Sequence, residues 1–280
     1  MHNREGRRGF VATSAGQLHY RTAGAGPPLV LLHNAWLSSR MFGAALPRLA
    51  GEFEVFAIET LGQGQSDPAP AGEVEIATYA AVLREAMAGL GLERPAVAGQ
   101  ATGAAIAAEA AAQEPAAVER LVLTGLPFWR NPATRLAQLA GETFADWEPG
   151  PDGEGLRRAW QQHGREALPG YPGAAAVLVD YLSPGPRTSL ALRALLRWDP
   201  RERLPLVAAP TLVLSHAGNI FSRNASLVAE LLPRSELRIM TDPVPHPHQA
   251  IFPEEIAEFC RPGARSADGQ PPLRRAPGVS

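Results

Sequence analysis

The chain has 280 residues, of which 45% are hydrophobic and 19% charged, enough for one α/β domain with an insertion and an extensive buried core. Its formal net charge of -2 gives no electrostatic reason to expect nucleic acid or an anionic membrane as partner. All 26 basic residues are Arg, which excludes lysine Schiff-base chemistry.

The polar, Arg-rich residues 1–9 hold no apolar signal core and are expected to be a flexible terminus. Residues 10–23 read as two short strands around a turn at Ala15-Gly16, and the apolar run 28–32 as a strand buried on both faces. Residues 38–49 carry helical apolar spacing behind a Ser cap. A strand over 55–58 leads into the Gly-rich turn 61–67. A helix over 76–90, a strand over 95–98, an Ala-rich helix over 101–113 and a strand over 121–124 complete a β-α alternation. That rhythm predicts a mostly parallel sheet with helices on both faces.

The alternation stops there. Residues 127–206 hold helical patches, Trp129, Trp147, Trp160 and Trp198, and no convincing strand, so they are expected to form a helical cap at the sheet's C-terminal edge, where ligands bind. Strand and helix alternate again over 210–214, 225–232, 237–240 and 254–260. The expected division is a core of 10–126 and 207–260, a cap of 127–206, and flexible termini at 1–9 and 261–280. The lone Cys260 is expected as buried filler. No stretch approaches a membrane span in apolar length, so a cytoplasmic protein is the expectation, with a homodimer as one open assembly. Metal-ligand spacings are lacking, and Gly62-x-Gly64 lacks the third glycine of a dinucleotide fingerprint, so neither metal nor cofactor is expected.

Five landmarks follow one another in a recognisable order. Leu31-Leu32-His33-Asn34 ends an apolar strand. The turn from Glu59 to Asp67 reads Glu-x-x-Gly-x-Gly-x-Ser-Asp. Val97-Ala98-Gly99-Gln100-Ala101-Thr102-Gly103 has the glycine spacing of a strand-to-helix elbow. Ser215-His216-Ala217-Gly218-Asn219 follows a late strand, and His246-Pro247-His248 precedes Phe252-Pro253-Glu254. Together, over about residues 10–260, these resemble the α/β-hydrolase superfamily, in particular its small bacterial members with a helical cap. The resemblance implies an α/β-hydrolase fold with the nucleophile at position 101, the acid at 219 and the catalytic His at 246.

The departures carry the functional reading. Ala101 offers a methyl group, which cannot attack a carbonyl. Asn219 can hold an imidazole but cannot stabilise imidazolium by charge, and the corresponding Asp-to-Asn change in a serine protease lowers turnover about 10⁴-fold. His246 is the remaining acid/base candidate, with His248 next; His216 is read as structural, and the resemblance implies that His33 supports the loop after its strand and does not react. By position, an oxyanion hole would use the backbone N–H groups of Ala35 and Thr102, with Asn34 and Gln100 as flanking polar groups. Trp36, Met41, Phe128, Trp129 and Trp198 are expected at the pocket or cap interface, as substrate-binding candidates. Three functions stay open: a non-hydrolytic enzyme acting on a small carbonyl-bearing metabolite, a hydrolase inactivated by Ser-to-Ala replacement at 101, and a ligand-binding protein without chemistry.

Overall fold

The computed structural model describes residues 6–131, 134, 150–163, 173–244 and 251–263. Its centre is an eight-stranded sheet in the order β1-β2-β4-β3-β5-β6-β7-β8. The strands are β1 (Arg7–Thr13), β2 (Gly16–Ala23), β3 (Pro28–Leu32), β4 (Glu54–Ile58), β5 (Ala96–Gln100), β6 (Leu121–Thr124), β7 (Thr211–His216) and β8 (Ser235–Met240). β1 and β2 are antiparallel to their neighbours, and all other pairings are parallel. Leu29, Val30, Leu31 and Leu32 of β3 are fully buried, as a central strand covered on both faces requires. Each such side chain contributes about 2 kcal/mol through burial.

The helices, in chain order, are α1 (Leu46–Leu49), α2 (Ile76–Gly89), α3 (Thr102–Gln113), α4 (Glu154–His163), α5 (Ala174–Leu182), α6 (Leu190–Arg197), α7 (Pro200–Arg203), α8 (Ala225–Leu231) and α9 (Pro253–Cys260). Between β6 and β7 the described residues carry α4 to α7 and no strand. α3 is buried along its length from Thr102 to Ala112, because its alanines let the helix axis lie close to the sheet and to the helices outside it.

Two segments differ from the sequence expectation. Residues 38–49 are not one helix but a 3-10 turn, Ser39–Phe42, and the single turn α1. Pro47 stands in the first turn of α1; its ring would collide with the carbonyl four residues back, so a helix cannot run through 43–47. β1 starts at Arg7, where Arg7, Arg8 and Gly9 pair with Thr22, Arg21 and Tyr20, so these three residues belong to the sheet and not to a flexible terminus. Cys260 is buried in α9, and burial pushes its thiol up to about 12.

The strand order places the site. From β3 the chain moves outward to β4 in one direction, and from β5 outward to β6 in the other. The crevice at such a reversal is where doubly wound sheets bind ligands. The loop after β3, residues 33–36, and the β5–α3 junction at Ala101 both open there.

Candidate functional site

Ala101 has φ 47 and ψ -106. This is left-handed backbone that a side chain strains by about 1–3 kcal/mol. Its N–H donates to the carbonyl of Thr124 (2.9 Å), and its carbonyl accepts from Ala105 (3.1 Å), fixing the junction between β5 and α3. The flanking glycines are sterically required. A Cβ on Gly99 would stand 2.3 Å from the Gly103 carbonyl oxygen, and one on Gly103 would stand 2.4 Å from that of Leu32 and 2.6 Å from that of His33. Gly103 thus lets α3 lie directly on the end of β3, which brings the N-terminus of α3 beside loop 33–36. Among the described residues, the N–H groups of Ala35 and Thr102 have no acceptor. Ala35 is buried, and the buried Thr102 hydroxyl likewise finds no partner there.

Loop 33–36 is held from below. His33 Nε2 accepts from the Thr60 N–H (3.1 Å), so the ring proton is on Nδ1 and donates to the Asn34 carbonyl (2.8 Å). Burial lowers the pKa of His33; the Asn34 bond and the charges of Glu59 and Asp180 offset this only in part. His33 is therefore a neutral brace with both nitrogens committed. Asn34 donates its N–H to Met41 Sδ (3.4 Å), so buried Met41 supports the loop. Trp36 takes φ 68 and packs edge-to-face on Tyr181 of α5, ring centroids 6.1 Å apart. Buried Asp180, next to Tyr181, accepts hydrogen bonds from Ser38 Oγ and from Arg40 Nη1. The segment after β3 and helix α5 are thereby locked together.

Below this loop, Glu59 anchors the turn after β4. It accepts from Ser39 N–H (3.1 Å), Ser39 Oγ (2.6 Å) and Gln65 N–H (2.6 Å), and His19 Nδ1 lies 3.0 Å from its Oε2. Burial alone would raise its pKa, but hydrogen bonds from His19, Ser39 and Gln65 outweigh it and hold the carboxyl at about 2. The Glu59 carboxylate is accommodated because Gly64 leaves room: a Cβ there would fall 2.1 Å from Glu59 Oε2.

At the acid position, Asn219 Oδ1 accepts the Phe221 N–H (2.9 Å). Its Nδ2 is the end turned to Gly125, 2.9 Å from where a Cβ on that glycine would stand. The group facing the end of β6 is thus an N–H donor where the resemblance implied a carboxylate. His216 is structural, its Nδ1 accepting from the Gly218 N–H (3.0 Å) and its Nε2 donating to the Asp242 carbonyl (2.7 Å). His246 and His248 lie outside the described residues.

The remaining candidates divide. Gln100 is buried at the end of β5 beside Ala101. Phe128 lies under the Arg201 guanidinium, 4.5 Å from its ring centre, and Trp129 packs edge-to-face on Phe221 at 6.2 Å, both on the Asn219 side. Trp198 lies elsewhere: its indole N–H donates to buried Glu109 (2.9 Å), which also takes a two-pronged ion pair from Arg203. Residue 109 is about 12 Å along α3 from the elbow, so Trp198 fastens the segment before β7 to α3 and stands away from the pocket floor. Asp180 escaped the sequence reading; its signal was a single acid within the apolar run of α5.

The elbow, the loop after β3 and the sheet topology are arranged as in the α/β-hydrolase fold, with a methyl group at the elbow. The chain belongs to the α/β hydrolase fold family, whose model matches residues 27–236. It is 32% identical over 128 residues to haloalkane dehalogenase 2 of Mycobacterium tuberculosis, covering 46% of this chain and 44% of that one. It is 36% identical over 107 residues to the soluble epoxide hydrolase of a Corynebacterium, covering 38% and 37%. The aligned stretch thus spans less than half the length of these curated relatives. In structure it is similar to a hydrolase from Pseudomonas aeruginosa, with TM-score 0.67, 24% identity and coverage of 84% and 90%, a likeness of fold.

Proposed function

We propose that this protein is an enzyme that acts on a small, largely apolar, carbonyl-bearing metabolite by a non-hydrolytic reaction, with residues 127–206 as the cap over the pocket. The observation that carries this reading is the strained elbow at Ala101, kept although it presents only a methyl group. The strain costs stability, while the N–H groups of Thr102 and Ala35 beside it have no acceptor among the described residues. Two such donors can take a substrate carbonyl oxygen and stabilise the charge that develops there during enolisation, elimination or ring closure. His246 is the proposed proton carrier. Asn34, Gln100 and Thr102 supply flanking polarity, and Trp36 and Met41 shape the wall. The relatives named above are hydrolases, which supports a second reading, a hydrolase inactivated at position 101.

Ala101→Ser separates the two. On p-nitrophenyl acetate and butyrate the variant is expected to remain at the background rate, because Asn219 offers the imidazole no negative charge. Ester turnover on restoring the hydroxyl would establish the second reading instead. Ala101→Leu, which fills the floor of the site, is expected to lower conversion of the true substrate at least ~100-fold by displacing it from the N–H donors.

A further inference from the structure

A half-open cleft lies between the turn after β4 and the segment after α5, lined by Gln63 and Ser66 of that turn, Tyr79 of α2, and Ser183 and Arg187. Leu61, Pro68, Pro184 and Leu190 give it apolar walls. Ala101, Thr102 and loop 33–36 take no part in it, so it is a place distinct from the elbow.

Most of its polar side chains are spent on the fold. Ser66 Oγ donates to the Glu59 carbonyl (2.8 Å) and Ser183 Oγ to the Gly64 carbonyl (3.1 Å). Arg187 Nη1 donates to the Ala69 carbonyl (2.7 Å), and its Nη2 to those of Pro70 (2.5 Å) and Gly72 (2.8 Å). Its charge is left without a carboxylate within ion-pair distance among the described residues.

Two groups are not spent. Gln63 is 2% exposed, yet no described residue bonds its side-chain amide, and the buried Oε1 is an acceptor without a donor. A buried amide left unpaired is destabilising unless something else completes it. The hydroxyl of buried Tyr79 also bonds to no described residue. Burial raises its pKa, and nearby Arg187, Arg197 and Arg193 offset that only in part, so the phenol stays protonated.

The missing partner is defined by what these groups lack. Oε1 needs a proton donor, which a carboxylate cannot be. A cation would bring the proton but would face the charge of Arg187. A neutral partner is left. The Gln63 amide carries an acceptor and a donor side by side, so a partner with N–H and C=O on one edge meets both in a closed pair. A half-turn about the last Gln63 torsion, which is soft, exchanges the two ends and leaves the pair intact. Primary carboxamides and lactams have such an edge. A trans peptide group, with N–H and C=O on opposite sides, does not.

We propose that this cleft binds a small neutral molecule through a primary carboxamide or lactam group, paired edge to edge with the Gln63 amide, with the Tyr79 hydroxyl as a further donor to its carbonyl oxygen. The apolar walls would take the hydrocarbon part of the ligand. Nothing in this cleft depends on the reaction at Ala101.

The test is titration of the full chain with benzamide, benzoate, N,N-dimethylbenzamide and benzyl alcohol at constant ionic strength, following the backbone amide resonances of Gly62, Gly64 and Ser66. Benzamide should produce saturable shifts. Benzoate and N,N-dimethylbenzamide bring no proton, and the single hydroxyl of benzyl alcohol cannot meet both ends of the amide. Each should bind at least about tenfold more weakly. Gln63→Met, which keeps the side-chain volume, should weaken benzamide about tenfold or more, and Tyr79→Phe about threefold. Should Gln63→Met fail to fold, benzamide against N,N-dimethylbenzamide on the wild type decides the question. No saturable response to benzamide, an equal response to any of the other three, or an unchanged affinity in folded Gln63→Met would overturn the proposal.

Discussion

Gly103→Ala is expected to disrupt the fold rather than merely weaken it. A methyl group there would press on two backbone oxygens, those of Leu32 at 2.4 Å and His33 at 2.6 Å. Backbone in the middle of a sheet cannot turn aside as a side chain can. Relief requires α3 to move off β3, opening the contact through which its fully buried alanines are packed. A loss of at least ~3 kcal/mol is expected, the upper range for overpacking, because every neighbour is rigid. Gly72→Ala is the control. That glycine also has a positive φ, 82, but no atom lies within 4 Å of an added Cβ, so only backbone strain of about 1 kcal/mol applies. Urea melts of the two variants should differ accordingly. A Gly103→Ala protein as stable as Gly72→Ala would show that the elbow is not packed as described.

Glu59→Gln is expected to remove both stability and its pH dependence. The folded carboxyl sits at about 2 against an ordinary value of 4.5. Because the shift is downward, its contribution is complete above about pH 4.5 and fades as pH falls toward 2. The difference corresponds to about 3 kcal/mol at neutral pH. Gln keeps the shape but offers one acceptor oxygen to Ser39, Gln65 and His19, and leaves the imidazole without its anion. In urea melts, the wild type should lose stability steeply between pH 4.5 and pH 3. The variant should begin about 3 kcal/mol lower at pH 7 and change less over that interval. Parallel profiles would show that another carboxylate governs acid unfolding. Since the Glu59 cluster also fixes Ser39 and Gln65, loop 33–36 and the Gln63 cleft should both lose definition in the variant.

Much of the sheet could be read from the chain because its signals are local. The strands 28–32 and 121–124 are short apolar runs between turn residues, and the structure begins and ends them there. The elbow was readable because steric demand leaves only glycine at positions 99 and 103. Other features depend on partners far away in sequence. Arg7 and Arg8 lie on an edge strand open to solvent on one side, so no apolar pattern announces them. Arg40 and Asp180 meet across 140 residues, and neither is distinctive alone. Trp198 was expected at the pocket or the cap interface, and of these it takes a contact between the segment before β7 and α3. Its position is set by an indole N–H that needs an acceptor, and Glu109 on α3 provides it. The unpaired amide of Gln63 could not be found from sequence at all, since being unpaired is a property of the folded surroundings.

The central claim is that this site works by position and polarity, with no covalent intermediate. Incubating the wild-type protein with a fluorophosphonate and weighing the intact chain tests it most directly. The expected result is an unchanged mass, because the elbow presents a methyl group and both nitrogens of His33 and of His216 are committed to backbone groups. A stoichiometric phosphonyl adduct, whether mapped to Thr102 beside the elbow or to any serine at the pocket floor, would contradict it.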